Sequence, residues 1–208
     1  MNKPVTGVKA DRKCSHAGLE KNARHLRQLM QLDLLQPLNA LEVFEDLAEI
    51  SVTAGDGSAI PLWSSVVETE DSEGYTQFDK TQKRIEVFAA VETYEWLSSG
   101  HPRGTYFLAH ELGHCCLHTD QLMRIAKLPT KQQLAFHRAQ QHHPVYQDTE
   151  WQANAFASAL LMPAQGLAAI EAKCGFLSPS QVSAKYQVSQ EAAFYRIQLF
   201  NQRRSELL

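Results

Sequence analysis

His110, Glu111 and His114 are the residues of this chain whose types and spacing best suit chemistry. They form His110-Glu111-Leu112-Gly113-His114, a His-Glu-x-x-His pattern, behind Tyr106-Phe107-Leu108-Ala109, which reads as the opening of a helix. On a helix, residues four apart share a face. Two imidazoles so placed can grip one Zn²⁺ at about 2.0–2.1 Å each. Glu111 is too offset to join them as a ligand, but it can hold a water on the open side of the metal. That arrangement suits metal-assisted peptide hydrolysis. Three specified positions are a weak signal in a chain with nine histidines, where two surface histidines on a helix would look the same. A third ligand decides between the two.

The segment from Glu150 to Pro163 offers one. It is rich in Ala and Leu and reads as a helix, with Pro163 at its end or at a break. Glu150 and Asn154 are four apart and share a face. Glu150 can supply the carboxylate of a His₂Glu site that keeps one position open. Asn154 can accept a hydrogen bond from the free N–H of a ligand histidine and so fix its tautomer. Ala153, Ala155, Ala157 and Ala159 allow the two helices to approach closely.

His-Glu-Leu-Gly-His, followed by Glu-x-x-Ala-Asn-x-Phe-Ala-x-x-Leu-Leu-Met-Pro, resembles the ImmA/IrrE family of zinc metallopeptidases. Leu117-His118 fits the same pattern. The resemblance spans roughly residues 20–200 and is strongest at 104–118 and 150–163. It implies a zincin-like core with zinc on His110, His114 and Glu150, and Glu111 as general base. It also implies a narrow substrate, an Xre-type helix-turn-helix transcriptional repressor of a phage, a mobile element or a stress regulon, whose cleavage relieves repression. The stretch between the motifs is long, and residues 119–149 have the look of an insertion.

Several other residues are candidates for the site. His142 and His143 are alternative ligands or donors to the oxyanion. Tyr146 stands four before Glu150 and can point into the same cleft, where a phenol would stabilise a tetrahedral intermediate. His118 continues the four-residue spacing but drifts around the helix, so it is expected to pack or to support a ligand.

At 208 residues the chain suits one compact domain with a small appendage. No apolar run approaches the ~20 residues of a membrane span, and the basic N-terminus lacks the apolar stretch of a secretory signal. Four cysteines without a C-x-x-C pair read as reduced thiols of a cytoplasmic protein. From Gln28 to Asp79 there is no Lys or Arg, while eleven Asp and Glu recur. Such a stretch disfavours nucleic acid, and it reads as a solvated surface or as an acidic face for a basic partner.

The elements that must position these residues follow from the pattern. Residues 1–17 are expected to be loose. A helix over Leu19–Leu35 and another through Leu41–Leu47 precede strands near 50–53, 65–68, 74–78 and 85–88. The expected fold is α+β and zincin-like, mostly helical, with a small antiparallel sheet before the active-site helix. Residues 18–165 form the metallopeptidase domain. Residues 166–208 form a helical, helix-turn-helix-like pair, with helix starts at Ser178 and Ser189. Arg196, Arg203 and Arg204 are a thin basic patch, so direct DNA binding is not expected. Two other functions fit the same residues. One is a zinc-containing module that sequesters a repressor without cutting, which intact Glu111 argues against. The other is a DNA-associated regulator acting through the C-terminal helices.

Overall fold

The computed structural model describes residues 7–69, 72–129 and 143–208. Helix α1 (His16–Leu29) opens behind Ser15, whose hydroxyl accepts from Gly18 N. Short α2 (Ala40–Glu45) follows, with Asn39 as its cap. Strands β1 (Ser51–Thr53), β2 (Ala59–Val67), β3 (Gly74–Asp79) and β4 (Arg84–Ala90) come next. The helices then run as α3 (Val91–Ser98), α4 (Pro102–Leu117), α5 (Thr119–Ala126), α6 (Thr149–Leu161), α7 (Ala164–Cys174), α8 (Pro179–Tyr186) and α9 (Gln190–Leu207). The result is an α+β, zincin-like fold in which a small sheet precedes the histidine-bearing helix.

The sheet is mixed, where the sequence pointed to an antiparallel one. Its order is β1-β2-β4-β3, with β2 and β4 parallel. β3 and β4 are a hairpin, and β4 inserts between β2 and β3. Alternation along each strand says nothing about which neighbour it pairs with, so this topology lay beyond pattern reading. It leaves β3 as an edge strand. β2 also starts earlier than expected, at Ala59. Pro61 argues locally against a strand, but its ring faces solvent while Ile60 and Leu62 on either side are buried.

One hydrophobic core joins the sheet, the central helices and the C-terminal helices. Leu62 and Val87 of the sheet, Leu108 and Leu112 of α4, Phe156 and Leu160 of α6 and Phe200 of α9 all belong to it. Arg196, counted above as part of a basic patch, lies inside it. Its guanidinium donates to Met162 O at 2.8 Å and to Glu20 Oε2 at 2.6 Å. Arg203 pairs with Glu206 and Arg204 with Glu171. α3 and α7 were not anticipated. α4 begins at Pro102, ahead of the expected opening at Tyr106, because His101 caps it through Nδ1 and proline suits the first turn.

Of the N-terminal stretch expected to be loose, residues 1–6 lie outside the described residues and residues 7–17 are held. Ala10 N donates to Gln147 O at 2.7 Å, Thr149 N donates to Val8 O at 3.0 Å, and Ala10 is buried. Main-chain pairing to a distant segment carries no local sequence signal. Residues 130–142 of the suspected insertion lie outside the described residues. Among the described residues no single helix is long and apolar enough to cross a membrane.

Candidate metal centre

The two motifs meet because α4 and α6 pack backbone to backbone. A Cβ on Gly113 would come within 3.0 Å of Ala153 Cα and 3.1 Å of Ala153 O, so the contact depends on a glycine against an alanine. Asp148 starts α6 at the right place, with Oδ1 accepting from Trp151 N at 2.8 Å. Glu150 therefore enters from the first turn of α6, opposite His110 and His114 on α4.

The donor atoms converge. His110 Nε2 and His114 Nε2 lie 3.0 Å apart. Glu150 Oε2 is 3.2 Å from the first and Oε1 is 3.4 Å from the second. Four ligands about 2.0–2.1 Å from one ion in a tetrahedron are separated by roughly 3.3 Å. The three side chains thus have the spacing to hold one metal ion. Burial works against charge on His110 and Glu150 alike. Even so, hydrogen bonds from His110 and His114 hold the Glu150 carboxyl far below the usual carboxylate range, and Glu150 with Glu111 raises His110.

Supporting hydrogen bonds set the tautomers. Asn154 Oδ1 is 3.0 Å from His110 Nδ1 and accepts from the Tyr106 hydroxyl at 2.9 Å. Nδ1 must then carry the hydrogen, which leaves the Nε2 lone pair for a metal. A longer relay does the same for His114. Gln152 Nε2 donates to Arg12 O at 2.8 Å and to Tyr146 O at 2.9 Å, so Gln152 Oε1 is the acceptor facing His118 Nε2 at 3.0 Å. His118 Nδ1 then offers its lone pair to His114 Nδ1–H at 3.1 Å. Burial, and after it the positive charge of His114, push His118 down to about 4, so it stays neutral. His118 faces His114 from outside the converging donors, and Asn154 lies against His110 Nδ1.

Glu111 is buried beside this centre. Its Oε2 accepts from the Thr76 hydroxyl of β3 at 2.6 Å, and among the described residues the other oxygen has no such partner and can take a proton. The cleft in front of it, about 250 Å³, is lined by Gly74, Tyr75 and Thr76 of β3, by Leu122 and Ile125 of α5, and by Val8. The acid-rich stretch lends the cleft these three strand residues and no carboxylate.

Tyr146 does not enter the cleft. Residues Val145–Gln147 form a separate 3₁₀ turn before α6, so the four-residue spacing to Glu150 does not put the two side chains on one face. Its ring is exposed, with the Lys13 ammonium 5.9 Å from its centre. Only its carbonyl serves the site, through Gln152. His142 lies outside the described residues. His143 is buried, with Nε2 3.4 Å from Asp148 Oδ2, and does not line the cleft. Cys115 is buried and Cys116 half-buried. Burial pushes the Cys116 thiol up to about 12, which fits an inert core thiol.

Thr76, Gln152, His118 and Tyr106 complete the site. Only the four-residue spacings His114–His118 and Tyr106–His110 hinted at any of them. Thr76 and Gln152 are joined to the centre by packing alone.

No curated protein matches the sequence. Among solved structures, a Mycobacterium tuberculosis transcriptional regulator is similar at 14% identity and a TM-score of 0.46, over 86% of this chain and 54% of that one. The chain thus spans about half the length of that structure. Residues 98–198, which carry α4 and α6 and so the whole ligand set, match the IrrE N-terminal-like domain of the Peptidase_M78 family. Over these residues the chain is similar to the ImmA/IrrE metallopeptidase-like family.

Proposed function

We propose that the protein is a zinc endopeptidase that cuts an extended segment of a helix-turn-helix transcriptional repressor. The observation that carries the catalytic part is Glu111. A buried carboxylate stands beside the His110, His114 and Glu150 donors, with one oxygen tied to Thr76 and the other unpartnered among the described residues. Two imidazoles and one carboxylate in near-tetrahedral spacing suit zinc with an open position. Zinc, when bound, polarises the scissile carbonyl and lowers the pKa of water toward ~7.

The chain's own residues supply the rest. Asn154 and the Gln152–His118 relay keep both ligand nitrogens aimed at the centre. Glu111 accepts the proton of the attacking water and later delivers it to the departing amine. Thr76 holds the Glu111 carboxylate in place through both transfers. Among the described residues β3 is an edge strand, and its Gly74–Thr76 segment can pair with the main chain of an extended peptide. Such a peptide is more readily a flexible linker than a packed helix. The repressor target rests on the ImmA/IrrE resemblance, and separating the DNA-binding part of a repressor from its dimerising part would release transcription.

Glu111→Gln tests the proposal. The variant should bind as much zinc as wild type by elemental analysis. Cleavage across a panel of purified Xre-type repressors, read by intact mass, should fall by about 10²–10⁴-fold. Undiminished cleavage by a clean Gln variant would refute the role of Glu111. A stable complex of the wild type with an uncut repressor would indicate sequestration instead.

A further inference from the structure

The matched domain begins at residue 98, yet part of the metal centre comes from the other end of the chain. Residues 7–12 run beside the start of α6 and across to α5. Gly7 N donates to Asp148 Oδ2 at 2.8 Å, on the same carboxylate that caps α6. Val8 N donates to Thr149 Oγ1 at 3.1 Å and Val8 O accepts from Thr149 N at 3.0 Å. On the α5 side, Asp11 N donates to Gln121 Oε1 at 3.2 Å, and the Asp11 carboxylate takes two hydrogen bonds from Arg124, at 2.6 and 2.8 Å. The segment is therefore anchored on both walls of the cleft, and Val8 lines it.

Two of its contacts reach the metal ligands. Gly7 lies directly against Glu150. A Cβ there would come within 2.7 Å of Glu150 Cγ, of Glu150 N and of Thr149 Oγ1. Two of those atoms belong to the ligand residue and one is backbone, so nothing can swing aside cheaply. Gly7 has no left-handed backbone, so the demand for glycine there comes from close approach alone. At the other end, Arg12 O accepts from Gln152 Nε2, the last link of the relay that sets the His114 tautomer.

We propose that Gly7–Arg12 is a positioning strap of the metal centre, which fixes the Glu150 carboxylate through Gly7 and the His114 relay through Arg12 O. This rests on the reading of His110, His114 and Glu150 as ligands, but it does not need the peptidase activity. The strap makes the centre depend on a segment far outside the matched domain. Supporting contacts of this kind commonly change metal affinity by 10–100-fold when disturbed.

The experiment is zinc binding by the full-length Gly7→Ala variant, titrated against a chromogenic chelator, together with the d–d absorption of the cobalt(II)-loaded protein. The expected result is roughly 10–100-fold weaker zinc binding and an altered cobalt band, with the far-ultraviolet circular dichroism of wild type. Gly18→Ala is the control, since its Cβ would meet only Ser15 Oγ at 3.4 Å, and it should bind zinc as wild type does. If Gly7→Ala does not fold, Thr149→Val replaces it. That change removes the acceptor of Val8 N and should shift both readouts the same way. Variants that match wild type in affinity and cobalt band would overturn the strap and leave the ligand set standing. A folded wild type that binds no metal would overturn both.

Discussion

Asn154→Ala separates the support of a ligand from the ligand itself. One oxygen, Asn154 Oδ1, faces His110 Nδ1 at 3.0 Å and the Tyr106 hydroxyl at 2.9 Å. Alanine removes both partnerships and touches no donor atom of the centre. The His110 ring then loses the acceptor that holds its hydrogen on Nδ1, and the tautomer with Nε2–H competes. Zinc affinity should fall about 10–100-fold, which is roughly 1.4–2.7 kcal/mol. The Tyr106 hydroxyl also loses its partner, so the metal-free protein should lose about 1 kcal/mol of stability. For a chain of this size that is about 2–4 °C in Tm. Asn154→Asp keeps an acceptor and should hold zinc far better than the alanine variant. Competition titration of zinc gives the first number and thermal unfolding of the metal-free protein the second. Wild-type affinity in Asn154→Ala would refute the tautomer argument. Equal losses in the Ala and Asp variants would show that shape, not hydrogen bonding, matters at this position.

Two further outcomes concern the scaffold. Arg196→Met should cost about 3–5 kcal/mol in urea unfolding, because Glu20 stays buried with its cation gone, and a loss under about 1 kcal/mol would refute the buried pair. Tyr186 should give the wild type an alkaline limb. Burial pushes its phenol up to about 12, against about 10 in an unfolded chain. The unfolded chain thus loses this proton first. The contribution is full below pH 10 and disappears as pH rises through 12, about 2–3 kcal/mol in all. Stability of Tyr186→Phe should fall less steeply than wild type over that window, and equal slopes in denaturant titrations would refute the assignment.

The candidate site was legible in the sequence wherever it is local. His110, Glu111 and His114 sit on one helix, and Glu150 and Asn154 on another, so the 3.6-residue period places each group without knowledge of the fold. That Asn154 would support a ligand followed from the same spacing. The reading failed where it extended a helix past its cap. Asp148 starts α6 after Tyr146, so Tyr146 never shares a face with Glu150. It failed again where polarity stood in for exposure. Arg196 is charged and buried, because Glu20 and the Met162 carbonyl satisfy it from segments distant in sequence.

The sequence by itself picked out the candidate donors His110, His114 and Glu150 and the carboxylate Glu111 beside them, because residue type and helical period select them within each helix. Only the tertiary structure decided what holds those groups. β4 slips between β2 and β3, which makes β3 an edge and brings Thr76 to Glu111. Gln152 reaches His118 across 34 residues of chain, and the N-terminal segment reaches Gln152 and Asp148 across 140 and 141. Such contacts depend on which surfaces bury together in the packed core, and no local pattern encodes that choice.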